Sequence, residues 1–178
     1  MKKTILNIFD FDGTLVDTQT PENGKKIWEE KTGNKWPHIG WWGRKESLDN
    51  VIFEQPVIES TIEHYNKLSG DKNGLTIMLT GRRTKLSKEV EVILKSNNLC
   101  FEEYRYNYGG DTLSNKIKQI TEILTDKPGI KEINMFEDRY EHIIKFKEFF
   151  KGLIDKGDLT KVTIFHITDD KSIKEIKV

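Results

Sequence analysis

The sequence holds a single cysteine, Cys100, so no disulfide can form within the chain. Free cysteines usually pack as small apolar groups, and Cys100 reads as a buried thiol on a strand. Charge of one sign is not in excess: Lys and Arg number 29, and so do Asp and Glu. A global pull toward nucleic acid or membrane is not indicated, which leaves room only for a local basic patch. No apolar run approaches the roughly 20 residues of a membrane span. The opening MKKTILNIF looks like the start of a signal peptide, but its apolar stretch stops at Asp10 and no small-residue cleavage site follows. Internal repeats and low-complexity tracts are missing. These absences point to a soluble, cytoplasmic protein. Its 178 residues suit one domain spanning 1–178 with a modest insertion.

What is present is an alternation of short apolar runs with helix-period segments. The runs are Thr4 to Phe9, Leu75 to Leu79, a weaker Leu99 to Tyr104, Ile133 to Phe136 and Val162 to Ile167. Runs this short, rich in Ile, Leu, Val and Phe, suit strands buried on both faces. Between them, Ile58, Ile62 and Tyr65 share one helical face. Leu86, Val90, Ile93 and Leu94 share another, as do Leu113, Ile117, Ile120 and Leu124, and then Ile143, Phe146 and Phe150. The pattern predicts an α/β fold: a three-layer, Rossmann-like parallel sheet of about five strands. Residues 19–55 fit it less well. They hold all four tryptophans and two of the four prolines, and read as a small cap-like insertion after the first strand. The charged tail DDKSIKEIKV reads as frayed or as a short last helix.

The sharpest chemical signal is FDFDGTLVDT. Asp10 and Asp12 stand two apart where the first strand ends, so both carboxylates aim at one crevice. In open α/β sheets that crevice is where ligands bind. Gly13 allows a sharp turn and Thr14 supplies a hydroxyl. Two close carboxylates repel unless one is protonated or a cation lies between them, and Mg²⁺ is the economical cation for oxygen ligands. Two other strand ends carry complementary groups: Thr80-Gly81-Arg82 after the second, Glu137-Asp138-Arg139 after the fourth. A phosphate dianion near such an acidic site needs cations. Arg82 offers a fork matched to phosphate oxygens. Lys116, with Lys118 as the fallback, lies in the first turn of a helix that Ser114 would cap, on the ligand side of the sheet. Thr80 could also cap the following helix, and the two roles could coexist.

This ordered set resembles the haloacid dehalogenase (HAD) superfamily of phosphohydrolases. WPHIGWWGRKESLD, IMLTGR and MFEDRYEHIIKF are similar, more narrowly, to the HAD domain of Swiss Army Knife RNA repair proteins. The resemblance implies that Asp10 is the nucleophile, forming an aspartyl-phosphate, and that Asp12 protonates the leaving oxygen and then activates water. It implies Mg²⁺ on Asp10, the backbone carbonyl of Asp12 and Asp138, with Glu137 beside or behind them. Thr80 and Lys116 would hold the phosphoryl oxygens, with Gly13, Thr14, Gly81 and Arg82 around the substrate. It also singles out Arg139 and His142; one helical turn beyond Asp138, His142 reads as a structural hydrogen-bonding group ahead of a proton-transfer group.

Three functions are consistent with these residues. One is a Mg²⁺-dependent phosphomonoesterase acting on nucleic-acid ends such as a 3′-phosphate. Another is the same enzyme acting on a small phosphorylated metabolite or nucleotide. The third is a catalytically idle HAD domain that binds nucleic acid or a partner protein. Trp36, Trp41 and Trp42 bear on the choice: they are either the core of the insertion or a platform for a base, with Lys25, Lys26, Arg44 and Lys45 near a nucleic-acid backbone.

Overall fold

The first apolar run forms β1 (Ile5–Phe9), which occupies the middle of the sheet in a computed structural model that describes residues 3–178. Met1 and Lys2, the first two residues of MKKTILNIF, lie outside the description. β2 (Gly74–Arg83), β3 (Glu103–Asn107), β4 (Glu132–Glu137), β5 (Lys161–Ile167) and β6 (Ile173–Lys177) complete six strands in the order β3-β2-β1-β4-β5-β6. All neighbouring pairs are parallel except β5 with β6. The fold class is the predicted one, with one more strand.

Alternation along β1 sends side chains to two cores. Leu6 and Ile8 join Ile77, Ile120, Ile123, Phe146 and Phe150, beneath α4 (Thr112–Asp126) and α5 (Tyr140–Asp155). Phe9 joins Met78, Val90, Leu94 and Tyr65, beneath α2 (Glu59–Leu68) and α3 (Ser87–Ser96). Phe9, Phe136 and Phe165 are in register on β1, β4 and β5, and their rings stack at 4.3 and 4.5 Å. The one polar residue of β1, Asn7, is buried but paired: its Nδ2 donates to Thr76 Oγ1 at 3.2 Å, and Asn134 Nδ2 donates to its Oδ1 at 2.9 Å. Those bonds offset the cost of burying an amide.

Several local expectations are corrected. The tail is neither frayed nor helical; Ile173–Lys177 pairs antiparallel with β5. The third strand starts four residues later than the apolar run suggested, which leaves Cys100 exposed and outside any strand. The α4 cap is Asp111, not Ser114: its Oδ2 accepts from the Ser114 amide at 2.8 Å. Lys116 therefore falls at the fifth helical position, and its side chain reaches back toward the N-terminus, as helical side chains do.

Residues 19–55 leave the sheet and return at one place. The Asp17 amide donates to the Pro56 carbonyl at 2.9 Å, and that of Ile58 to the Leu15 carbonyl at 3.0 Å. Within the segment, α1 (Pro21–Thr32) starts at the Thr20 cap with proline at its first position and stops at Gly33. Trp28, Trp36, Trp41 and Phe53 pack ring against ring, with centroids 4.6–5.5 Å apart. Gly24 lets Trp41 lie against α1. Gly24→Ala gains about 1 kcal/mol of helix propensity, but its Cβ would stand 2.1 Å from the Trp41 ring. The clash outweighs the gain. We expect a net loss of about 1–3 kcal/mol, measured as a lower melting temperature with red-shifted tryptophan emission.

Candidate active site

Sheet topology creates the site. β1 is flanked by β2 on one side and β4 on the other, and the helices that follow these strands lie on opposite faces. A crevice opens at such a switch point beyond the carboxyl ends of the strands. A cavity of about 630 Å³ lies there, lined by Asp10, Asp12, Gly13, Gly81, Arg82, Lys116 and Asp138 among others.

Lys116 organises its floor. The buried ammonium lies 2.7 Å from Asp10 Oδ2 and 2.7 Å from Glu137 Oε2. Asp10 Oδ1 accepts from the Phe11 amide at 2.7 Å. Glu137 Oε1 accepts from the Arg139 amide at 3.2 Å. Asp138 completes the acidic group: one carboxylate oxygen from each of Asp10, Glu137 and Asp138 lies within 4.8 Å of the others. Gly13 makes room for it. Its φ of +68° suits glycine, and a Cβ there would stand 2.5 Å from Asp138 Oδ2. Thr14 Oγ1 is 3.5 Å from Asp138 Oδ1.

Three carboxylates around one ammonium leave an excess of negative charge. Burial, with Glu137 and Asp138 adding to it, pushes Asp10 well above the usual carboxylate range despite Lys116. Burial likewise lifts Asp138 to about 7. Burial works against charge on Glu137 too, but contact with Lys116 wins and holds it below its ordinary value. Burial would lower Lys116, but Asp10 and Glu137 outweigh it and raise it. This donor set fits a hard divalent cation: the ligands are all oxygen, the charge is unbalanced, and a glycine keeps the space beside Asp138 clear.

Asp12 points elsewhere. Its carboxylate accepts from Arg82 Nε at 2.9 Å, from Arg82 Nη2 at 2.8 Å and from Thr18 Oγ1 at 2.7 Å. The side-chain cluster is thus Asp10, Glu137 and Asp138, without the Asp12 carboxylate. Arg82 is only 1% exposed and spends its fork on Asp12, while the neighbouring Arg83 is exposed. Thr80 is buried inside β2, where its Oγ1 accepts from the Arg82 amide at 3.1 Å at the irregularity between Leu79 and Arg83; it caps no helix, since the next helical turn starts at Thr84 after Arg83. Gly81 lines the cavity against Thr112. His142 Nδ1 is buried without a hydrogen-bond partner, 3.9 Å from Glu137 Oε1, and burial lowers its pKa. Arg139 lies at the rim and pairs with Glu141. Sequence reasoning did not find Thr18, Ser47 or Lys171. Lys171 enters the rim from the β5–β6 connection, paired with Asp17 at 2.6 Å; without β6 there was no turn to place it on.

The model of HAD domain family 1 in Swiss Army Knife RNA repair proteins matches residues 20–177. The chain belongs to this family. The matched HAD span takes in Thr80, Lys116, Glu137 and Asp138. Asp10 and Asp12 precede it and are joined to it through Lys116 and Arg82. An uncharacterized protein of Saccharomyces cerevisiae, YMR265C, is 27% identical over 177 residues, covering 84% of this chain and 38% of that protein. The chain thus spans less than two thirds of that relative's length. HAD membership implies a phosphohydrolase, and the acidic cluster fits Mg²⁺. Among the described residues, no helix is long and apolar enough to cross a membrane.

Two outcomes follow for the acidic cluster. A cation must displace the proton that Asp138 carries below about pH 7. Mg²⁺ affinity measured by calorimetry therefore rises with pH, roughly tenfold per unit for each proton released from Asp138 or Asp10. Gly13→Ala forces Asp138 aside in a strained backbone, and we expect Mg²⁺ affinity to fall by about tenfold or more.

Proposed function

We propose that this HAD domain is a Mg²⁺-dependent phosphomonoesterase that works through an aspartyl-phosphate and acts on the phosphorylated end of a nucleic acid, a 3′-phosphate. The observation that carries the reading is the buried Lys116 ammonium, 2.7 Å from both Asp10 and Glu137, on the wall of a cavity shared with Asp12. An Asp10 oxygen attacks phosphorus, and the bond to the leaving oxygen breaks. Asp12 gives that oxygen a proton. Asp12 then takes a proton from water, whose oxygen attacks the same phosphorus. Asp10 is freed and inorganic phosphate leaves. Lys116 and Thr80 hold the phosphoryl oxygens, helped by the Thr14 hydroxyl and the backbone at Gly13 and Gly81. When bound by Asp10, Asp138 and the Asp12 carbonyl, with Glu137 behind them, Mg²⁺ supplies charge neutralisation for the phosphoryl group.

Three observations support a nucleic-acid end. The family is described from RNA repair proteins. Trp42 is 45% exposed and lines the cavity, so it offers a ring for stacking, whereas Trp41 is buried and Trp36 packs in the aromatic core of the insertion. Arg139 and Lys171 add cationic groups at the rim. In this reading residues 19–55 act as a small cap within one domain. Asp17 and Asp169 at the same rim favour a second reading, a small phosphorylated metabolite or nucleotide.

Turnover of an aryl phosphate should require Mg²⁺ and fall by about a thousandfold or more in Asp10→Asn. A 3′-phosphorylated oligonucleotide should then exceed a mononucleotide by at least about tenfold in kcat/KM. Equal or better hydrolysis of the mononucleotide selects the second reading. No turnover of any phosphoester leaves a binding domain.

A further inference from the structure

Arg82 has few N–H groups left for a substrate. Nε and Nη2 donate to Asp12, while Nη1 donates to the Trp42 carbonyl at 2.9 Å and to Ser47 Oγ at 2.7 Å. The guanidinium also lies 4.9 Å from the centre of the Trp42 ring. One side of the fork thus grips a residue of the β1 turn, and the other grips the insertion. Ser47 is itself fixed, donating to the Arg44 carbonyl at 2.7 Å, within a short 3₁₀ turn over Lys45–Leu48. Planar, five-donor geometry is what allows one side chain to do both; a lysine ammonium has no such fork.

We infer that Arg82 is a positioning residue, a clamp that sets the Asp12 carboxylate and makes that setting depend on how the insertion is seated. The inference rests on the function proposed above. It replaces the expected contact between Arg82 and phosphate with a role exerted through Asp12. The fork fixes where the Asp12 carboxylate stands. When the leaving group needs no proton, the step that depends on that placement is the second, in which Asp12 takes a proton from water. Thr18 supports the same carboxylate from the foot of the insertion.

The kinetic signature separates this role from its rivals. With an aryl phosphate the leaving group needs no proton, so phosphoryl transfer to Asp10 is spared and hydrolysis of the aspartyl-phosphate slows. In Arg82→Lys, kcat should fall at least about tenfold and KM should fall with it, holding kcat/KM within about threefold of wild type. A burst of released phenol should appear. Ser47→Ala, which keeps Arg82 but loosens its hold on the insertion, should move kcat and KM in the same direction by a few-fold. A raised KM with lowered kcat/KM would mean that Arg82 binds phosphate, and a lowered kcat at unchanged KM would mean that it only maintains the fold; either overturns the inference.

Hydrogen exchange tests the clamp without turnover. Amides of residues 42–48 should exchange faster in both Arg82→Lys and Asp12→Asn than in wild type, and not in Asp10→Asn. Unchanged exchange in the first two variants overturns the clamp. If the wild-type protein hydrolyses no phosphoester, the proposed function fails, and exchange alone decides whether Arg82 joins Asp12 to the insertion.

Discussion

One buried ammonium holds the site together. Lys116 stands between Asp10, at the end of β1, and Glu137, at the end of β4, with 2.7 Å to each. Without it, two adjacent strands would end in facing carboxylates with almost no access to water. Taking one partner from a buried ion pair costs about 3–5 kcal/mol, because the remaining charge is left unpaired. Lys116 thus has structural weight in addition to any chemistry. It does not finish the neutralisation, since Asp138 adds a third carboxylate, and that deficit makes the cluster receptive to a hard cation.

A second buried cation holds the other half of the site. Arg82 faces Asp12 as Lys116 faces Asp10, but it also reaches the insertion through Trp42 and Ser47. The two aspartates of the β1 turn therefore have separate partners. The one held by lysine sits among carboxylates. The other, held by a guanidinium fork, sits between the sheet and the insertion. Like charges two residues apart are tolerated because each has its own counter-charge from a different element.

Legibility in the sequence followed burial. β1, β4 and β5 are covered on both faces, and their apolar runs marked them to within about one residue at each end. The edges were harder. β3 (EYRYN) is half-buried over its first three residues, and the true strand begins four residues into the apolar run that suggested it. β6 (IKEIK), at the antiparallel edge, has two apolar residues three apart, Ile173 against one core and Ile176 against the other, and contains no apolar run. A short charged strand with that spacing looks like a tail or a helix turn. Missing β6 also hid Lys171 at the cavity rim.

By itself, the sequence determined the α/β alternation, the central strands and the polar groups at their carboxyl ends, because periodicity and residue type are local properties. Tertiary structure decided the partners. Only the packed fold brings Lys116 onto Asp10 and Glu137, turns Asp12 toward Arg82, and leaves Trp42 exposed while Trp41 is buried. Spacing along the chain brings Asp10 and Asp12 to one cavity. Which cation meets each depends on groups some 70 or more residues away, and on the balance of burial against charge where they meet.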